Sequence, residues 1–459
     1  MHRKVTGAPT VCAALALAAT LLAGCTVPAN APAYDETEII GTTTETTTAE
    51  AAVDGGKGSV PVGTLRVLPL SPGAAYNAGD ALYELATDSE ETGNAEDVAR
   101  FYKLLLKTDY ATGMQSCVCQ KPDCTHDSEA CPAYVSDEQL VQLIMEDGNA
   151  YICYVGYTSY DGLLDTEAAA TPDEALSGKT SRIELLRAGA ESREQVVELP
   201  MGVNPMFYWR DENALYGVCS KPGQPEAILR CDLKTGQLDT RSLLANEEVL
   251  GVYGNRFVTW RRISDQDLNS LAEAGNAEAY QAAMQNSGAE YALWDFSADT
   301  RQKLFEETRG TDFREMQGHC LYRFEEGANG KYNQLVLYDL TTGEQRTVNV
   351  DLPEENFTIY NGFMPLDSYT GGEYLWVCGD SEGAGFCGIS LSSGAFHSIA
   401  RKFLNAETGY CIPVAETNDG RWLIRTGNYK NYDRSDYGLV TPEEYFSEGN
   451  YTSVTLYES

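Results

Sequence analysis

The densest chemistry in the sequence runs Cys117-Val118-Cys119-Gln120-Lys121-Pro122-Asp123-Cys124-Thr125-His126-Asp127-Ser128-Glu129-Ala130-Cys131. Thiolate sulfur and imidazole nitrogen are the donors of closed tetrahedral zinc sites. The spacing of Cys119, Cys124, His126 and Cys131 lets one short loop wrap a single ion, so these four are the candidate ligands of a structural zinc. Cys117 shares a face with Cys119 if the segment is extended, which makes it a substitute ligand or a disulfide partner. Two further readings stay open: one or two disulfides, which an oxidising compartment favours, or free thiols beside an exposed imidazole. Four protein donors fill a coordination sphere, and no general base accompanies them, so catalysis is not expected here. The spacing is not Cys-x-x-Cys, which gives a redox role little support.

Other chemistry is sparse. His319 and His397 stand alone among strand residues and read as structural. No Gly-x-Ser-x-Gly, His-Glu-x-x-His or calcium-loop string occurs. Gly178-Lys179-Thr180 would need a glycine at 173 to form a phosphate loop, and Asp173 stands there. Thr417 to Trp422 reads as a hairpin turn. Carboxylates are plentiful, yet no pair is singled out for sugar cleavage. Trp209, Trp260, Trp294, Trp376 and Trp422 fall in or beside strands, where core packing accounts for them; the alternative is a place on the lining of a ligand site.

The N-terminus carries a different kind of chemistry. Arg3 and Lys4 precede an apolar run from Val11 to Leu22, the layout of a secretory signal and too short for a spanning helix. The run ends in Leu22-Ala23-Gly24-Cys25. That ending resembles the bacterial lipobox, and the resemblance implies cleavage after a signal peptide over 1–24 and lipidation of Cys25. Two acyl chains hold a protein stably on a bilayer, where one does so only marginally. Residues 25–62 are mostly Thr, Ala, Glu, Gly and Pro. They bury too little apolar surface to fold, and as a coil they would reach on the order of 35 Å. The expected location is the extracytoplasmic face of the cell membrane.

A formal net charge of −35, which becomes more negative once Arg3 and Lys4 leave, disfavours nucleic acid and anionic headgroups as partners. Of 13 cysteines, Cys12 leaves with the signal and Cys25 takes lipid. The odd remainder means that at least one is free or shared. Cys153, Cys219 and Cys378 sit inside apolar strand-like runs, where a thiol acts as a small hydrophobe.

The elements that must position all this are strands. Over 63–459 helical periodicity is nearly absent, and short apolar-aromatic runs alternate with Gly, Asp and Asn turns. One recurring piece is a polar turn before an aromatic strand, as in Asp147-Gly148-Asn149 before Ala150 and Asn418-Asp419-Gly420 before Trp422. The other is an Asp-x-x-Thr-Gly turn, at Asp109, Asp232 and Asp339, with weaker copies at Leu391 to Gly394 and Asp295 to Thr300. The pieces alternate with a period of about 40–50 residues, which is that of a propeller blade. The prediction is an all-β propeller of about seven four-stranded blades, near 65–135, 140–200, 205–247, 249–308, 314–350, 368–402 and 412–459. The final strand, Tyr451 to Tyr457, is expected to pair beside Leu65 to Leu70 and close the ring. Tandem β-sandwiches are the alternative. A helical insert, one helix within Ser264 to Asn286 capped by Ser264, interrupts the fourth unit, and residues 158–182 form a polar loop.

The cysteine-histidine string, with Cys131-Pro132-Ala133-Tyr134 after it, resembles one found after the first blade in a set of bacterial lipoproteins with propeller-like repeats. The resemblance covers the lipidation motif, the string and the strand rhythm, and implies fold and location but no activity. The blade rhythm also loosely resembles TolB-type propellers. The function expected is a membrane-anchored, non-catalytic propeller that binds a protein, peptide or glycan. The alternative is a propeller glycoside hydrolase or lyase acting on envelope or host glycans.

Overall fold

A computed structural model describes most residues from Ala75 to Glu458, apart from several short internal stretches, the longest being 156–179, 363–372 and 399–410. The signal segment, Cys25, the tether to residue 62 and most of the expected 158–182 loop lie outside the described residues. No helix among the described residues is long and apolar enough to cross a membrane.

The chain forms seven antiparallel sheets, each built from strands consecutive in sequence. Blade 1 spans Ala75 to Ser136, blade 2 Leu140 to Glu198, blade 3 Met206 to Ser242 and blade 4 Glu247 to Thr308. Blades 5, 6 and 7 span Glu315 to Asn349, Thr358 to Ser398 and Ile412 to Ser453. The seven predicted units match these spans, with the sixth blade beginning earlier than expected.

The core explains why the strands read as continuous apolar runs instead of alternating ones. Successive side chains point to opposite faces of a sheet, and here both faces are covered. In blade 5 Leu321 and Val336 pack with Val258 and Tyr291 of blade 4, while Tyr322 and Leu335 pack with Leu375 and Val377 of blade 6. The same arrangement joins blades 1 and 2, 2 and 3, 3 and 4, and 6 and 7. A last cluster joins blade 7 to blade 1 through Leu82, Tyr110, Leu423, Leu439 and Val454. The clusters therefore follow one another round a closed ring. Trp260, Trp294, Trp376 and Trp422 are buried in them, which is the packing role expected; the side chain of Trp209 lies outside the described set.

The turn between the third and fourth strands recurs with one geometry. Asp232 Oδ1 accepts from the N–H groups of Lys234 and Thr235 and from the Thr235 hydroxyl, and Gly236 follows at φ 69°. Asp109 with Gly113 and Asp339 with Gly343 repeat it. In blade 4 Asp299 takes the left-handed position at φ 52°.

The C-terminal end of the chain joins blade 7 to blade 1. Thr452–Ser453 pairs with Arg434–Val440 of its own blade. The chain then runs on, and Thr455 forms a parallel bridge with Met114 on the fourth strand of blade 1. Thr455 donates to Gly113 O and accepts from Gln115 N, both at 2.8 Å. The predicted partner, Leu65 to Leu70, lies outside the described residues. No blade borrows a strand from the far end of the described chain. Side chains complete the seam: Arg434 Nη2 donates to Gln115 Oε1 at 2.6 Å, Tyr437 OH to Glu84 Oε2 at 2.8 Å, and Asn77 Nδ2 to Glu416 O at 2.7 Å.

The helical insert lies between the second and third strands of blade 4, as two short helices, α1 (Leu268–Glu273) and α2 (Ala277–Asn286). Gly275 at φ 65° ends the first, and Asn276 caps the second through Ala279 N. The first is capped by Asp267, which accepts from Ser270 N, and not by Ser264.

Candidate metal centre

The fourth strand of blade 1 is split, and the split makes the site. Met114–Cys117 pairs with Arg100–Asp109, placing Cys117 opposite Leu106. The chain then leaves the sheet, returns, and pairs with the same strand again through Tyr134–Ser136, placing Tyr134 opposite Leu104. Leu105, the residue between, ties both ends of the excursion: it accepts from Val118 N at 3.0 Å and donates to Ala133 O at 2.9 Å. The loop from Val118 to Ala133 is thus pinched shut at its neck by a single residue.

Inside this loop Cys119, Cys124, His126 and Cys131 converge, with one donor atom from each within 4.8 Å of the others. A tetrahedral zinc with bonds of the usual length holds its donors about 3.3–3.8 Å apart, so the cluster needs only a small contraction round an ion. These four are the residues the spacing picked out, and they could coordinate a structural zinc. Cys117 lies outside the set. The strand ends at it, and its thiol sits against Cys131. The ten described cysteines are all free thiols, so the disulfide reading has no counterpart among them.

The backbone is shaped for thiolate. Lys121 N and Ala133 N each point at a sulfur two residues back, Cys119 and Cys131, at 3.4 Å. Such donors stabilise the charged form. His126 Nδ1 lies 3.2 Å from Cys131 Sγ. Asp123 and His126 take left-handed φ values of 58° and 61°, a conformation a non-glycine residue holds only where its surroundings impose it. Most side chains between the candidate ligands are exposed, so apolar burial is not what imposes it.

Burial and crowding act against ionisation of the sulfurs. Burial pushes the Cys119 thiol up to about 12, and the Cys117 contact together with burial pushes Cys131 up as well. The Cys131 contact holds Cys117 below its ordinary value. Burial lowers the His126 imidazole, favouring the neutral form that ligates. A divalent cation between the four donors would favour the thiolate forms of Cys119 and Cys131 that burial disfavours.

Beside the loop lies a feature the sequence did not disclose. A polar cleft of about 360 Å³ opens between Glu129, Ala130 and Pro132 of the loop and the third and fourth strands of blade 2. Its fixed charges are Glu184 and Arg193, paired at 3.3 Å. Arg193 also donates to Tyr154 OH at 2.8 Å, and Arg182 lies 3.7 Å over the Tyr154 ring while pairing with Glu184. Glu184 and Arg193 sit in an ordinary strand and its following turn, and only the arrangement in space brings them to the cysteine-histidine loop.

The lone histidines separate. His397 stacks on Phe446 at 4.1 Å, a packing role. His319 lies with Cys320 and Asp339 in a second group of donors, also within 4.8 Å of one another.

Fold and site together define a class: a seven-bladed β-propeller carrying a Cys3His cluster on the outer edge of its first blade. No protein-family model and no curated protein matches the sequence. Among solved structures the chain is similar to the acylaminoacyl peptidase of Pyrococcus horikoshii (TM-score 0.44, 10% identity, 85% of this chain and 52% of that one). It is similar to the oligogalacturonate lyase of Vibrio parahaemolyticus (TM-score 0.37, 11% identity, 83% and 86%). It is also similar to TolB of Acinetobacter baumannii (TM-score 0.30, 14% identity, 73% and 63%). The chain spans about half the length of the peptidase. These likenesses concern the propeller fold and extend to no activity.

Proposed function

We propose that the chain is a lipid-anchored, extracytoplasmic binding propeller that takes a protein, peptide or glycan at the cleft between the cysteine-histidine loop and blade 2, with the loop held in shape by zinc. The observation that carries the reading is that cleft: two of its charged groups, Glu184 and Arg193, are held by each other and by Tyr154, which sets polar groups in place for recognition. Its neighbouring wall is a loop whose ligand set suits a closed, non-catalytic metal site. Supporting the location are the Leu22-Ala23-Gly24-Cys25 motif and the acidic, low-complexity stretch after it.

Two measurements test it. Mass spectrometry of the protein from membranes should find a diacylated Cys25 as the first residue, and Cys25→Ser should release the protein from the membrane. An unprocessed leader on a soluble product would sink the anchor. For the cleft, immobilised protein is screened against oligosaccharide and peptide arrays, and hits are re-measured with Arg193→Ala. Loss of binding in the variant is expected; hits indifferent to it would place recognition elsewhere. Product analysis of bound oligosaccharides distinguishes the glycan-cleaving alternative, since a binding propeller returns them intact.

A further inference from the structure

The second donor group is not a repeat of the first. Cys320 opens the second strand of blade 5 and stands directly across the ladder from Asp339, which closes the third. His319 precedes Cys320, and its Nε2 lies 3.6 Å from Asp339 Oδ2. The two aspartate oxygens have separate work: Oδ1 accepts from Thr341 N and Thr342 N in the turn, leaving Oδ2 towards the imidazole.

Two other blades fill this position differently. In blades 1 and 3 the turn aspartate takes a fixed cation from two residues upstream on its own strand: Lys107 on Asp109 and Arg230 on Asp232, both at 3.3 Å. In blade 5 that upstream residue is Leu337, buried in the core. An imidazole replaces the cation, and the residue across the ladder, an alanine in blades 1 and 3 (Ala81 and Ala214), is a thiol. The blade has exchanged a salt bridge for a set of three metal donors.

From this geometry we infer that His319, Cys320 and Asp339 form a second zinc site, open at its fourth position and distinct in kind from the closed Cys3His cluster. One imidazole, one thiolate and one carboxylate are three protein ligands of the types zinc takes, and with three the ion completes its sphere from outside. The sulfur comes from the buried side, while the side chain of His319 is 54% exposed, so the vacant direction faces solvent. The fourth ligand is water, exchangeable for an imidazole, thiolate or carboxylate offered by a bound molecule. On binding, the Cys320 proton passes to solvent as the Zn–S bond forms, with no change of oxidation state. This inference is independent of the zinc assigned to the blade 1 loop.

The test uses the mature chain, stripped of metal under reducing conditions and titrated with zinc by equilibrium dialysis, with cobalt for spectroscopy. One binding event in the wild type should disappear in His319→Ala. That exposed substitution should weaken the event by more than the roughly 10–100-fold that loss of an outer-shell partner costs. Cys320→Ser should remove the matching part of the thiolate-to-cobalt charge-transfer band. Free imidazole should shift the cobalt ligand-field bands in the wild type and leave His319→Ala unchanged. Equal metal content and affinity in the wild type and His319→Ala would overturn the inference, whatever the blade 1 loop binds. Cobalt bands indifferent to imidazole would overturn the open position.

Discussion

At the scale of single residues, the loop of blade 1 rests on the core through Cys119 and Cys131 while most side chains between its candidate ligands are exposed, which sets what loss of a metal there should do. Protein purified under reducing conditions should carry zinc at Cys119, Cys124, His126 and Cys131, measured by elemental analysis. Cys124→Ser should lose it, and chelation should lower the melting temperature. A ligand bound only by the folded state at about 100 times its Kd contributes about 2.7 kcal/mol. Zinc-free protein with an unchanged melt would end the structural-zinc reading. A second residue-scale prediction concerns Tyr291, whose buried hydroxyl accepts from Phe313 N at 2.7 Å and donates to Phe313 O at 3.0 Å. Tyr291→Phe strands two backbone groups at once and should cost about 1–3 kcal/mol in denaturant unfolding. The four loop ligands were legible in the sequence because they are contiguous, so spacing alone brings them together. Arg193 and Glu184 were not, because their cleft depends on the loop lying beside blade 2. His319, Cys320 and Asp339 had a faint signal: the Asp-x-x-Thr-Gly turn marks Asp339 as a strand end, and pairing that strand with the one before it brings Cys320 alongside.

At the scale of elements, turns carry the specificity. Gly394 sits at φ 77°, and a side chain there would run into the backbone carbonyl of Asn349 in the preceding blade. Gly394→Ala should therefore destabilise, by more than the ~1 kcal/mol that a compatible glycine-to-alanine change adds to stability, read as a drop in melting temperature. The turn aspartates set the acid limit. Backbone and hydroxyl donors of Thr235 hold Asp232 down to about 2, and Arg421 with Thr417 holds Asp419 down to about 2. A carboxylate lowered in the folded state contributes stability above its unfolded value, about 3.9, and loses it as pH falls through its folded value. Stability should decline between about pH 4 and pH 2, and Asp232→Asn should flatten that decline. Glu84, raised by burial, acts in the opposite sense: its contribution is present at low pH and fades as pH rises. Blade boundaries were readable because these turns repeat. The break at Gly275-Asn276 was not, because the insert's Ala, Glu and Gln residues favour helix on both sides of it.

At the scale of the whole molecule, blades whose described strands are consecutive in sequence leave the ring dependent on its seam. Among the described residues the backbone there contributes a parallel bridge at Met114 and Thr455 and a hydrogen bond from Asn418 N to Gly79 O at 2.7 Å, and side chains add to it. Each blade meets only its neighbours through a shared apolar cluster, and the cluster between blades 7 and 1 is built like the other six. It follows that the order in which the blades are written in the gene is arbitrary to the ring. A circular permutant, with the tail linked back to Ala75 and new ends placed ahead of Glu247, should recover the parent's circular dichroism and a single cooperative melt. One whose new ends fall within a hairpin of blade 4 should not. Shuffling the start point in this way would turn a seam that now falls between the last and first described blades into an ordinary joint.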